Sequence, residues 1–348
     1  MEFNYKWNLS DLKKVKPNGY KVFSCFAGGG GSSQGYKMAG YDVIGCNEID
    51  HRQMEIYKYN LKPKYSYLED IRTFRLREDL PKQLFELDIL DASFPCSLFS
   101  TANPKADAKK GKEVKFREGQ VKQTLDDLAF EAIKLVDKIK PKICVFENVK
   151  GLLQEKNKWY VEQIYSQFNK IGYRICHHLI NCADLGVPQN RRRVFFFAVR
   201  NDIFVPTADI FETEPLINLN IKENHVPFKD IESFDESPLF NNPSPSCKKG
   251  WDNALPGHKL YEDKKFTSYK IDPNKTLKTI ASNSSKAREG ALHYKDFRML
   301  TQSEVYKAFS FPLDYECKDP YYVCGMCVPP LAMYRISKEI QIQWLDKL

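Results

Sequence analysis

The stretch Lys21–Ser32 constrains this chain more than any other. Lys21–Phe26 is a short, mostly apolar run that breaks into Ala27, four consecutive glycines (Gly28, Gly29, Gly30 and Gly31) and Ser32. An apolar run of that length ended by glycines predicts a buried strand, Ser32–Ala39 predicts a helix, and Tyr41–Asn47 predicts a second strand. Strand, loop, helix and strand in this order open a doubly wound α/β fold with a mostly parallel, Rossmann-like sheet. The loop brings backbone N–H groups and a helix N-terminus towards a ligand. It departs from the dinucleotide fingerprint, because Ser33 stands where the third glycine would fall. Glu48, twenty residues after Gly28, ends the second strand, where a carboxylate accepts from ribose hydroxyls. Asp70 ends a third segment, Leu68-Glu69-Asp70-Ile71, and suits an adenine amino group. Taken singly, a capping Asp and a solvated Glu account for these two acids equally well.

Further strands are expected at Asp88–Ala92, with Pro95-Cys96 at its carboxyl end, at Ile143–Phe146, and at Val194–Val199, which lacks polar alternation and reads as buried on both faces. Thr124–Ile139 is expected to be helical, with Leu125, Leu128, Ala132, Leu135 and Val136 on one face and Pro141 ending it. Residues 201–296 are rich in Asn, Pro, Ser and Lys, and Asn241–Ser246 is dense in turn formers. They predict a second, smaller, loop-rich domain. Residues 297–321 then connect back, and a final helix, Leu331–Leu345, follows Pro329-Pro330. On this reading residues 1–200, completed by 322–348, form the sheet domain.

With 348 residues, 42% of them hydrophobic, the chain can bury a sizeable core. Its start lacks a basic segment followed by an apolar run, and Val194–Val199 is far too short to span a bilayer. The expected location is therefore cytosolic or nuclear, cytoplasmic and nucleoid-associated if the source is bacterial, without a membrane partner. Ten scattered cysteines do not make a disulfide scaffold. Cys324-Gly325-Met326-Cys327 has zinc-like spacing but no second pair follows, so no metal is expected. His177-His178 reads as packing or surface. The net charge of +8 is compatible with a polyanionic partner. Lys105, Lys109, Lys110, Lys112, Lys115 and Arg117 cluster after Cys96, a run that charge alone would assign to a solvated loop.

Four residues carry a reaction. Cytosine C5 is too weak a nucleophile to take a methyl group unaided. A thiolate adding at C6 makes an enamine, and C5 becomes a carbon nucleophile. Cys96, at a strand end, supplies the thiol. Glu147, at the end of the next strand, can partner N3 if burial holds it protonated. Arg191 and Arg193, alternating on one strand face, can bond the base O2 and orient Glu147 or a phosphate. A lone buried Cys is ordinarily a small core residue; the ordered partners set Cys96 apart.

In this order the motifs resemble those of the cytosine-C5 DNA methyltransferase family, nearly end to end except for roughly residues 201–290. Phe26–Gly31 resembles its cofactor loop, Asn47-Glu48-Ile49-Asp50 its ribose segment, and Phe94-Pro95-Cys96-Ser97 its nucleophile motif. Glu147-Asn148-Val149 resembles the acid motif and Gln189–Arg193 the Q-x-R-x-R motif. Arg298–Glu304 with Phe311-Pro312, and Gly325–Pro330, resemble the closing motifs.

The resemblance implies a class I S-adenosylmethionine methyltransferase fold with a target-recognition domain at 201–296. The donor site would comprise Phe26, stacking on adenine, with Ala27, Gly28, Gly29, Gly30, Gly31, Glu48, Ile49, Asp70, Ile71, Pro95, Leu128, Cys327 and Val328. Cys96 would be the nucleophile, Glu147 the N3 partner, Arg193 a support of the flipped base and Glu147, and Arg191 an assistant, through the DNA backbone. Asn148 would support the acid. Ser97, Ser100, Lys109, Lys110, Arg191, Lys248 and Lys249 would contact double-stranded DNA. Trp251, Lys259, Lys264, Lys265 and Tyr269 are further contacts on composition only. The basic segment Thr101–Gln123 would close over the base. A restriction endonuclease would be a partner in function rather than by contact, and the chain would act as a monomer. Ser97 stands where the family has Gln, and Met326 where it has Asn; neither removes a reacting group. Three competing readings are a tRNA methyltransferase of the same fold, whose usual Cys-Phe-Thr tripeptide is absent here, a catalytically silent DNA-binding relative, and a nicotinamide enzyme resting on the glycine loop alone.

Overall fold

The computed structural model describes residues 2–95, 99, 127–203, 216–233, 243–263, 267–282 and 290–348. Cys96, Ser97, Ser100, Lys109, Lys110, Lys264, Lys265 and the basic segment 101–123 lie outside the described residues. The chain divides into two compact units. One comprises residues 16–180, 192–220 and 334–348, the other residues 1–15, 181–191 and 221–333.

In the first, the strands are β1 (Lys21–Cys25), β2 (Asp42–Glu48), β3 (Tyr65–Leu68), β4 (Ile89–Ala92), β5 (Ile143–Val149), β6 (Tyr173–Asn181) and, after the two-residue β7 (Gln189–Asn190) of the other unit, β8 (Arg192–Arg200). They form a seven-stranded sheet in the order β3-β2-β1-β4-β5-β8-β6. β1 through β5 pair in parallel and β8 runs antiparallel to β5, which gives the mixed α/β fold with a mostly parallel sheet that the sequence predicts. From β1 the chain winds outward to β2 and β3, then returns to the other side at β4. The carboxyl ends of β1 and β4 therefore flank the switch point, where an open α/β sheet leaves a crevice for ligand.

Helices α1 (Gly31–Met38), α2 (His51–Leu61), α3 (Ile71–Phe74), α4 (Leu128–Ile139) and α5 (Lys158–Lys170) complete the layers. Asp50 caps α2 by accepting from the backbone N–H of Arg52 and Gln53. In α4 the apolar positions Leu128, Ala132, Leu135, Val136 and Ile139 are buried, and Lys140 ends the helix in the left-handed conformation before Pro141. Phe23, Leu90, Phe146 and Phe196 from the sheet pack with Leu128, Ile133, Val136, Ile164 and Phe168 in one hydrophobic core. The last helix, α9, runs Pro330–Gln343, and Tyr41 donates from its hydroxyl to the carbonyl of Ser337 on it at 2.8 Å.

The second unit carries β7, α6 (Lys248–Asn253), β9 (Tyr269–Lys270), β10 (Leu277–Lys278), β11 (Ala291–Leu292), α7 (Gln302–Phe309) and α8 (Pro320–Met326). Its ladders are two residues long: β7 with β10 and β9 with β11. Side-chain bonds do much of the joining. Arg298 holds Glu304 through two bonds of 2.9 Å, Thr301 and Glu304 form a capping box on α7, and Trp7 donates to the Ser310 carbonyl at 2.9 Å. Residues 1–15 and 181–191 group with 221–333: Trp7 donates to the Ser310 carbonyl and Arg191 to the Ile280 carbonyl, and the Leu331 N–H donates to Ser310 Oγ.

Candidate functional site

The glycine loop is held from below by a carboxylate. Glu48, at the end of β2, accepts from the backbone N–H of Gly28 at 2.7 Å through one oxygen, and from Ile49 and Asp50 at 2.9 and 2.8 Å through the other. Ala27 donates to the Asn47 carbonyl at 3.2 Å, and Gly30 to the Ala27 carbonyl at 2.9 Å. The N–H groups of Ala27, Gly28 and Gly30 are thus spent on protein acceptors. A carboxylate has about four lone-pair sites, so Glu48, with three of them used, keeps acceptor capacity for a ribose hydroxyl. Burial lifts its carboxyl above the ordinary range, and the three backbone bonds oppose the shift while the neighbouring Asp50 adds to it.

Two backbone features shape the loop. Phe26 has φ of 53°, a left-handed conformation that non-glycine residues rarely take, and its partly buried ring packs against the core. Gly30 has φ of 78°, and a Cβ there would lie 2.4 Å from Leu61 Cδ1. Ala27, Gly29 and Gly31 complete the loop and α1's first turn. Asp70 caps α3 by accepting from the Arg72 N–H at 2.8 Å and pairs with the Arg72 guanidinium at 3.0 Å. Ile71 beside it and Leu128 at the start of α4 are buried.

The acid sits at the end of β5. Glu147 pairs with Arg193 of β8, Nε to Oε1 at 3.0 Å, with both side chains about nine-tenths buried (11% and 13% exposed). β5 and β8 are antiparallel neighbours, which brings the two together across the ladder. Asn148 donates from its side chain to the Phe94 carbonyl at 3.0 Å, while its own side-chain oxygen accepts from the Val149 N–H at 2.9 Å. It thus ties the acid's strand to the segment Phe94-Pro95 that leads into Cys96. This link between the acid and nucleophile motifs is not legible from either motif alone.

Arg191 corrects the sequence reading. It lies outside β8, is 1% exposed, and belongs to the other unit than Arg193, so the two do not share a strand face. Its guanidinium donates to the carbonyls of Gly325 at 2.8 Å, Cys327 at 3.1 Å and Ile280 at 3.5 Å, and lies over the Phe309 ring at 5.5 Å. Its Nη1 and Nη2 donors turn inward onto main-chain carbonyls. Cys327 and Val328, which follow α8, are buried in that same unit.

Lys248 and Lys249 open α6 with their side chains exposed. Lys248 pairs with Asp252 and lies 5.0 Å from the Trp251 ring, and Lys270 lies 4.1 Å from it. Nearby, a cavity of about 530 Å³ is lined by Asn190, His225, Tyr269, Asp272, Lys275 and Lys278. Among the described residues no group of three His, Cys, Asp or Glu is placed to hold a metal, and no helix is long and apolar enough to cross a membrane. The sequence reading also missed Asp91, a buried acid between the glycine loop and Glu147. Its signal was present: Ser24 in β1 and Asp91 in β4 are polar positions inside otherwise apolar buried strands.

Comparisons with known proteins agree with this arrangement. A family model described as C-5 cytosine-specific DNA methylase matches residues 20–342. The type II methyltransferase M.Bsp6I of Bacillus sp. is 33% identical over 183 residues, which is 52% of this chain and 52% of that protein. M.NgoPII of Neisseria gonorrhoeae is 26% identical over 357 residues, covering 93% of this chain and 96% of its own length. The chain spans about half the length of the first curated relatives it matches. The solved structure of Spodoptera frugiperda DNMT2 superimposes with a TM-score of 0.66 at 17% identity, over 92% of this chain and 99% of that one, which is a likeness of fold. The methyl donor of the matched family is S-adenosylmethionine. With a family model that spans residues 20–342, nearly the whole chain, the chain belongs to the C-5 cytosine-specific DNA methylase family.

Proposed function

We propose that this protein is a DNA cytosine-5 methyltransferase that modifies a cytosine flipped out of duplex DNA through a covalent bond between Cys96 and C6. The observation that carries the reading is the buried Glu147–Arg193 pair at the end of β5, joined by Asn148 to the segment that leads into Cys96. Bound S-adenosylmethionine supplies an electrophilic methyl group. The Cys96 thiolate adds to C6, and a proton at Glu147 meets N3 as charge develops there. Arg193 holds the Glu147 carboxyl in place and offers remaining donors to the base. Once C5 has taken the methyl group, a solvent water takes the C5 proton, the C5–H electron pair restores the C5–C6 double bond, the C6–sulfur bond breaks to release Cys96 as thiolate, and N3 returns its proton to Glu147. Phe26 and Glu48 hold adenosine by stacking and by accepting from the ribose. Flipping the base costs a few kcal/mol, which lysines at the DNA backbone offset in a salt-dependent way.

Duplex DNA carrying 5-fluorocytosine at the target tests this directly. Elimination needs a C5 proton that fluorine replaces, so the expected product is a protein–DNA adduct that survives denaturation and requires S-adenosylmethionine. Its absence under conditions that methylate unmodified DNA would remove the covalent mechanism. Mapping of 5-methylcytosine in genomic DNA treated with the protein should give one short sequence context.

We assign target choice to residues 201–296, on the support of their Lys and aromatic content and of Lys248 and Lys270 beside Trp251. Exchanging this region for that of a relative with another target should change the context methylated. An unchanged context in an active chimaera would place recognition elsewhere.

A further inference from the structure

Ser24 and Asp91 are cross-strand partners on β1 and β4, at the switch point beneath the glycine loop. Asp91 is 1% exposed. Ser24 donates from its hydroxyl to one carboxyl oxygen at 2.9 Å, and Tyr36 of α1 donates to the other at 3.5 Å. The loop Phe26–Gly30 is thus bracketed: the strand that enters it and the helix that leaves it are fastened to one acid. The ionised carboxyl is acceptor-only and takes both hydroxyl protons more strongly than the protonated form.

That ionised state is costly where it stands. Burial pushes the Asp91 carboxyl up to about 7; the Ser24 bond opposes the shift, the neighbouring Glu147 carboxyl adds to it, and Ser32 and Tyr36 oppose it. The groups that face it are Ser24 and Cys25 from β1, Ser32 and Tyr36 from α1, Tyr57 from α2 and Glu147 from β5. Burial holds Cys25, Tyr36 and Tyr57 neutral, and the Glu147 carboxyl has Arg193 for itself. None of the groups facing Asp91 is a cation. A buried anion in such surroundings gains from a positively charged ligand. S-adenosylmethionine carries a sulfonium charge, and S-adenosylhomocysteine, the product, has lost it.

We propose that Asp91 is a positioning residue for the methyl donor: its carboxylate fastens the glycine loop through Ser24 and Tyr36 and favours the cationic donor over the uncharged-sulfur product. The proposal rests on the reading of the loop as the donor site.

The test is calorimetric titration of the full chain with S-adenosylmethionine and S-adenosylhomocysteine across pH about 5.5 to 8.5. The ratio of the two dissociation constants cancels every titration of groups the ligands share. In the wild type the preference for the donor should rise on the order of fivefold as pH increases, with its midpoint near 7. Asp91→Asn should bind both ligands with a pH-independent ratio equal to the wild type's acidic limit. Ser24→Ala removes a bond to the ionised form and should move the midpoint to higher pH, which a merely structural role would not do. This variant decides the question should Asp91→Asn fail to fold. A flat wild-type ratio, the same rise in Asp91→Asn, or an unmoved midpoint in Ser24→Ala would overturn the proposal. Failure of the wild type to bind either ligand would instead overturn the donor reading of the loop, and this inference with it.

Discussion

Replacing Cys96 by alanine abolishes methyl transfer and leaves DNA binding in place. The expected loss is at least about 10⁴-fold, since without addition at C6 the C5 carbon stays unreactive. Six described thiols are held too far from the thiolate form to take its place. Burial pushes Cys176 up to about 12 and Cys317 up to about 11, and carries Cys25, Cys46, Cys144 and Cys324 above the ordinary thiol range. A thiol held that high presents almost no thiolate near neutral pH. Incorporation of labelled methyl groups measures the loss, and a mobility shift measures binding. Turnover within a hundredfold of wild type would refute the nucleophile assignment.

The second large effect concerns folding. Arg191→Ala removes a buried guanidinium that satisfies the Gly325, Cys327 and Ile280 carbonyls. Each buried acceptor left without a donor costs about 1–3 kcal/mol, and the void beside Phe309 adds to this. The expected total is about 3–5 kcal/mol, enough to loosen the turn at the end of α8. Arg191→Lys should recover only part of it, because an ammonium lacks the planar fork that reaches two carbonyls. Hydrogen exchange is the right measurement, since a chain of two units need not unfold in one step. Amides of residues 277–282 and 320–328 should lose protection in Arg191→Ala, while those of β1 to β5 keep theirs. Unchanged protection at the first set would show that Arg191 does not hold this turn.

The α/β class and its sheet were legible because buried parallel strands leave a local record: short apolar runs ended by glycine, proline or an acid. Lys21–Phe26 was expected and Lys21–Cys25 is found; Leu331–Leu345 was expected as helix and Pro330–Gln343 is found. Such end shifts are what local pattern leaves open. The division into units was not legible. Residues 181–191 sit between two strands of the sheet in sequence, yet their bonds, from Arg191 to Gly325 and from Gln189 to the Ala308 carbonyl, run to segments more than a hundred residues away.

The candidate site divides in the same way. Sequence alone gave the residue types and their order: the glycine loop, Glu48, Cys96, Glu147 and the paired arginines, since the chemistry of each depends on its side chain and its place at a strand end. Direction and partnership came from tertiary structure. Arg191 and Arg193 are two residues apart, and spacing assigns them one face. The chain leaves one unit and enters the other between them, so one guanidinium caps main-chain carbonyls and the other meets Glu147. Asp91 was visible as a polar letter in an apolar strand, but its importance depends on the β1–β4 register that sets it opposite Ser24 and under α1. Side-chain identity is a local property of the sequence. Burial and pairing depend on residues far along the chain, so only the folded structure decides them.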